Sequence, residues 1–175
     1  DGEEYHLLLT DLPGEWYSGL INRAETAERF RFLKRSDAII FVVDGTQLAD
    51  SSKRHFELNQ IDLLLRRMAQ TVSIELDVPF VILISKCDKV DIPNLQGVSE
   101  VKAQAEKYGF KPVVIFAASI SSDTKKTIPG KGIHETIAYI LDAQPKKQTT
   151  LERPYVGNRS FGKYRFSSTD VETNE

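Results

Sequence analysis

The chain has 175 residues, enough to bury one substantial core, so a single globular domain is the expected unit. With 41% hydrophobic and 27% charged residues and a net charge of −2, it has no overall basic field for nucleic acid or a membrane surface. The single cysteine, Cys87, excludes an internal disulfide and a cysteine-built metal site, and His6, His55 and His134 lack metal-ligand spacing.

Four short apolar runs alternate with four stretches of helical periodicity. Tyr5 to Thr10 is the first strand, ending at Asp11-Leu12-Pro13-Gly14. A helix over about 22–34 follows, carrying Ala24, Ala27, Phe30 and Leu33. The second strand, Ala38 to Val43, ends at Asp44-Gly45. The next helix starts near Ser51-Ser52, residue types that cap well, and carries Phe56, Leu58, Ile61, Leu64, Leu65 and Met68. Val78 to Ile84 is the third strand, ending at Ser85. A helix over about Val98 to Lys107 stops at Tyr108-Gly109. Pro112 to Phe116 is the fourth strand, ending at Ala117-Ala118-Ser119. The last helix, Ile133 to Leu141, carries Ile133, Ile137 and Ile140 and halts before Pro145.

The strands are nearly continuous in apolar residues rather than alternating, the pattern of strands buried on both faces. The expected fold class is therefore α/β: a mostly parallel, doubly wound sheet with helices on both faces. No run approaches the roughly 18–20 apolar residues that span a bilayer. No secretory signal is visible, and a cytoplasmic location is the simplest expectation. The start at Asp1, without methionine, suggests a piece of a longer protein.

The pattern breaks at about Gln144. Residues 1–143 are expected to form the folded domain and 144–175 a polar extension or linker. That extension holds Lys146, Lys147, Arg153, Arg159, Lys163 and Arg165, interleaved with Tyr155, Phe161, Tyr164 and Phe166. Such a mixture can bind single-stranded nucleic acid or an acidic surface. A solvated linker is the plainer reading, and nucleic acid is not taken as a partner.

In open α/β sheets ligands bind at the carboxyl ends of the strands, and all four ends here are small or polar. Taken singly, each end reads as a turn, since Asp, Pro, Gly and Ser all favour turns. Their order and spacing carry more. Asp11-Leu12-Pro13-Gly14 resembles the D-x-x-G loop of Ras-like P-loop GTPases. Ser85-Lys86-Cys87-Asp88 resembles their guanine-reading N-K-x-D, with serine in first place. Ala117-Ala118-Ser119 lies where those proteins carry a Ser-Ala-Lys loop. The resemblance spans about Asp1 to Asp142, the C-terminal two-thirds of such a domain. The Asp-Leu-Pro-Gly-Glu-Trp stretch resembles bacterial double-GTPase proteins more than Ras.

This resemblance implies GTP or GDP and Mg²⁺ as ligands. Asp11 would hold Mg²⁺ through a water, and the Gly14 amide would meet the γ-phosphate, where only glycine lets the backbone come close. Asp88 would accept from the N1–H and N2–H₂ of guanine, an edge adenine lacks. The Lys86 stem would lie along the base while its ammonium ties the loop together. The Ala118 amide would donate to guanine O6. Glu15 stands where Ras-like enzymes place a water-orienting glutamine. Ser85 replaces a bracing asparagine, and Ser119 replaces a lysine that packs over the base.

No G-x-x-x-x-G-K-[ST] occurs; Pro129-Gly130-Lys131-Gly132 has the wrong spacing. The phosphate-binding loop is therefore expected from an upstream segment or a second chain that completes the sheet. Trp16-Tyr17 is either packed on a neighbouring helix or a protein-contact patch. The expected function is Mg²⁺-dependent GTP hydrolysis as a molecular switch. The alternative is a pseudo-GTPase that keeps the fold as a docking module. A receiver or flavodoxin-like module ranks last, because a receiver needs an acidic pair that the sequence lacks.

Overall fold

The computed structural model describes residues 7–10, 19–20, 30, 32–72, 74, 76–118 and 127–143. Within them three strands, β1 (Ile39–Asp44), β2 (Phe80–Ser85) and β3 (Pro112–Phe116), form one sheet in the order β1-β2-β3. Both pairings are parallel: Ile39 lies opposite Phe80, Asp44 opposite Ser85, and Ile84 opposite Phe116. Parallel neighbours require long crossovers, and the helices supply them. Between β1 and β2 run α1 (Gly45–Ala49) and α2 (Ser51–Arg67); α3 (Val98–Lys107) joins β2 to β3, and α4 (Ile133–Ala143) follows β3. The α/β class read from the sequence is the class observed.

Local signals set the helix ends. Asp50, one residue before the expected caps, is the true N-cap of α2: its Oδ1 accepts from the Ser52 N–H at 2.9 Å and the Ser52 hydroxyl at 2.6 Å. Ser51 and Ser52 are the first helical residues. Ile61 and Leu65 lie one turn apart and are buried, and the helix passes into a π turn, Met68–Val72, that buries Met68 and Val72. Helix α3 buries Val101 and Ala105 and stops at Tyr108-Gly109 as expected, the Gly109 N–H returning to the Glu106 carbonyl at 2.9 Å. The Tyr108 hydroxyl also donates to the Asp62 carboxylate at 2.9 Å, fastening α3 to α2.

The main core lies on one face of the sheet. Ile39, Phe41 and Val43 alternate along β1, Phe80, Ile82 and Ile84 along β2, and all six join Ile61, Leu65, Val101 and Ala105 from the helices. Phe80 stands between Phe41 and Phe110, with ring centroids 6.0 and 4.5 Å away.

Four expectations need correction. β1 is not buried on both faces: Val42 is 61% exposed, because nothing described covers the second face of this strand. The described part of the first run does not join the sheet. Its described residues, 7–10, have no strand pairing, and Leu8 is 90% exposed; a short apolar run becomes a strand only beside a ladder partner, and β1 has one described neighbour, β2. In α4 Ile140 is buried, whereas Ile133 and Ile137 are largely outside the core. Most of the helix expected over 22–34 lies outside the described residues, and 32–35 form a 3-10 turn rather than an α-helix. No helix among the described residues is long and apolar enough to cross a membrane.

One close approach fixes the start of α4. Gly132 has φ +81°, and a Cβ there would sit 2.3 Å from the Phe116 carbonyl oxygen. Its own carbonyl accepts from both the N–H and the hydroxyl of Thr136, at 3.0 and 2.6 Å. Gly130 has the same φ but open space around it. Gly132→Ala is therefore expected to cost about 2–3 kcal/mol in urea unfolding and Gly130→Ala about 1 kcal/mol. Equal losses would contradict the packing described for this turn.

Candidate functional site

Parallel register brings the ends of β1, β2 and β3 to one edge of the sheet, where Asp44-Gly45, Ser85 to Asp88, and Ala117-Ala118 meet. The contacts are tight. A Cβ on Gly45 would lie 2.7 Å from the Ser85 carbonyl oxygen, so only glycine allows these two ends to touch. The Ser85 hydroxyl donates to the Val43 carbonyl at 3.1 Å, bracing β2 to β1. On the other side the Cys87 N–H donates to the Ala117 carbonyl at 3.0 Å, and the Ala117 N–H to the Ile84 carbonyl at 2.8 Å.

Lys86 is the one non-glycine residue with positive φ (56°) among the described residues. It precedes a 3-10 turn, Cys87–Lys89, which holds Asp88. Its ammonium sits 2.5 Å from Asp44 Oδ2. Oδ1 of the same carboxylate caps α1, accepting from the Thr46 N–H at 2.9 Å and the Thr46 hydroxyl at 2.7 Å. Burial pushes the Asp44 carboxyl up, but the hydrogen bonds from Lys86 and Thr46 outweigh it and hold it below its ordinary value. The stability it contributes is thus complete above the ordinary carboxylate range and is lost as pH falls through the lowered value. Burial also pushes the Cys87 thiol up, with Lys131 opposing and Asp88 assisting, so this side chain packs as a neutral thiol.

A cavity of about 410 Å³ opens at this edge, walled by Leu83, Ser85, Lys86, Asp88, Ala117 and Ile133. Asp88 Oδ2 is buried and has no hydrogen-bond partner. A buried acceptor left unpaired costs about 1–3 kcal/mol. Leu83 and Ile133 give the cavity apolar walls on which a flat ring can lie. A second hollow of about 450 Å³ is lined by Thr127 to Lys131, His134 and Glu135, and no strand end reaches it.

Of the residues expected in the site, Ser85, Lys86 and Asp88 wall one cavity, and Ala118 follows the wall residue Ala117. Asp11, Gly14, Glu15, Trp16, Tyr17 and Ser119 lie outside the described residues. The Ala118 amide is not free for guanine O6. It donates to the Lys131 carbonyl at 3.0 Å, while the Ala118 carbonyl accepts from Gly130 at 2.8 Å, because the turn after β3 folds back as a two-bond bridge. Among the described residues no group of His, Cys, Asp or Glu could hold a metal ion. Sequence reasoning gave no role to Asp44, Leu83 or Ile133. An aspartate ending a strand two residues before Thr46 was a readable capping signal, but its bond to Lys86 was not.

Ser85, Lys86 and Asp88 thus wall one cavity, while the Ala118 amide beside it is already occupied. No curated protein and no solved structure gives a significant match to the chain. The model of the Double-GTPase 2 family matches residues 1–141. With that match over most of its length and the strand ends gathered as such a domain requires, the chain belongs to the Double-GTPase 2 family, a group of P-loop GTPase-like, GTP-binding domains.

Proposed function

We propose that this chain binds GTP and GDP at the cavity beside Asp88 and, with a phosphate loop supplied by an upstream segment or second chain, hydrolyses GTP as a cytoplasmic molecular switch. The observation that carries the reading is Asp88, a wall residue of the cavity whose Oδ2 is buried without a hydrogen-bond partner. A carboxylate accepts only, and guanine presents two adjacent donors, N1–H and N2–H₂. Lys86, drawn toward Asp44, lends its aliphatic stem to the cavity wall beside the base. Ser85 supplies the brace that an asparagine would give, through its bond to Val43.

Support for the added segment comes from β1. Its 39–44 edge opposite β2 has no described strand beside it, and Val42 stands exposed on its uncovered face. A strand placed there would take up the free backbone groups and continue the sheet.

In this reading Asp11 would hold Mg²⁺ and the Gly14 amide would meet the γ-phosphate. Bound there, Mg²⁺ would supply charge neutralisation at the phosphates. Glu15 would stand beside the attacking water. Catalysis rests on positioning and charge neutralisation, with no covalent intermediate. The pseudo-GTPase reading has one observation in its favour: the Ala118 amide, a family contact to the base, is spent on Lys131.

Two substitutions in the full-length protein test the proposal. Asp88→Asn places an NH₂ against the guanine amine, donor against donor, whereas xanthine offers a carbonyl there. The expected result is GTP affinity lowered about 10- to 100-fold with a gain for xanthosine triphosphate; unchanged GTP affinity would remove Asp88 from base reading. Ionised Glu15 cannot donate to the γ-phosphate and adds charge beside an anionic transition state, so Glu15→Gln is expected to speed single-turnover hydrolysis. A large drop would instead identify Glu15 as a general base.

A further inference from the structure

We infer that Asp44 is a positioning residue for guanine-nucleotide binding, setting Lys86 and through it the turn that carries Asp88. The inference rests on the guanine reading of the cavity and adds to it a residue from a different strand. Asp44 and Lys86 are 42 positions apart, yet Oδ2 and Nζ meet at 2.5 Å.

The carboxylate divides its two oxygens between two tasks. Oδ1 takes both Thr46 donors and completes the cap of α1, so the helix makes no claim on Oδ2. Oδ2 holds Lys86. Lys86 itself has φ 56° and ψ 34°, a left-handed conformation that side chains other than glycine avoid. That conformation turns the chain from β2 into the Cys87–Lys89 turn and so aims Asp88. The ion pair is a tether on the residue whose backbone is strained. Gly45 lets the two strand ends come as close as the tether needs, since a Cβ there would lie 2.7 Å from the Ser85 carbonyl oxygen. Lys86 and Asp88 both wall the cavity, so a shift at Lys86 changes the surface the base meets.

Two conservative variants separate positioning from capping. Asp44→Asn keeps an oxygen that caps α1 but loses the charge facing Lys86; Asp44→Glu keeps the charge but is a poorer cap. In the full-length protein, release of a fluorescent GDP is followed by displacement with excess GDP, and thermal midpoints are recorded in parallel. Asp44→Asn is expected to release GDP about three- to fivefold faster, the size appropriate to a partly exposed pair, with little change in midpoint. Lys86→Met should match it, and the double variant should be no faster than the faster single variant. Asp44→Glu should release GDP near the wild-type rate while its midpoint falls. Wild-type release from Asp44→Asn, multiplied effects in the double variant, or rates that simply follow the midpoints would overturn the positioning role. Failure of the wild-type protein to retain GDP at all would overturn the guanine reading, and this role with it.

Discussion

Parallel strands all deliver their carboxyl ends to the same edge of a sheet, and the chemistry of this protein depends on that geometry. The register places Asp44 opposite Ser85 and Ile84 opposite Phe116, so three loops distant in sequence begin within one neighbourhood. Apolar packing enforces the register. A slip of one residue along β1 would move Ile39, Phe41 and Val43 out of the core and replace them with Ile40, Val42 and Asp44. The Phe41–Phe80–Phe110 stack would be lost in the same step. The hydrophobic core therefore fixes which polar residues face each other at the sheet's edge.

Around that edge the structure concentrates features that a purely structural turn would avoid. Lys86 adopts a left-handed backbone, Asp88 leaves a buried oxygen unpaired, and Gly45 and Gly132 each fill a place where a methyl group would collide with backbone. Strain and unsatisfied groups cost stability and persist where the surrounding packing holds them, which is the common condition at binding sites. The bridge between Ala118 and Lys131 is the exception, since it closes a backbone donor that the base would otherwise use.

Much of the fold was legible in the sequence, and the physical reasons differ by element. Strands β1, β2 and β3 fell within a residue or two of the apolar runs because continuous branched residues bounded by Pro, Gly or Asp leave few alternatives. The stop at Tyr108-Gly109 was readable from glycine alone. The exposure of Val42 was not, because periodicity reports the character of a strand and says nothing of what lies over it. Asp50 outranked Ser51 and Ser52 as the cap by geometry that composition does not encode. In the site, the order of the Asp-Leu-Pro-Gly, Ser-Lys-Cys-Asp and Ala-Ala-Ser ends pointed to the family that the match shows. The Asp44–Lys86 pair and the occupation of the Ala118 amide are tertiary facts, which no local pattern announces.

The central claim is that the unpaired carboxylate oxygen at Asp88 reads the donor edge of guanine. Equilibrium binding of GDP and of inosine diphosphate to the full-length protein tests it most directly, because the two ligands differ only in the N2 amine. The account predicts that inosine diphosphate binds about 10-fold or more weaker, as the loss of one charge-assisted hydrogen bond requires. Equal affinity for the two would contradict it.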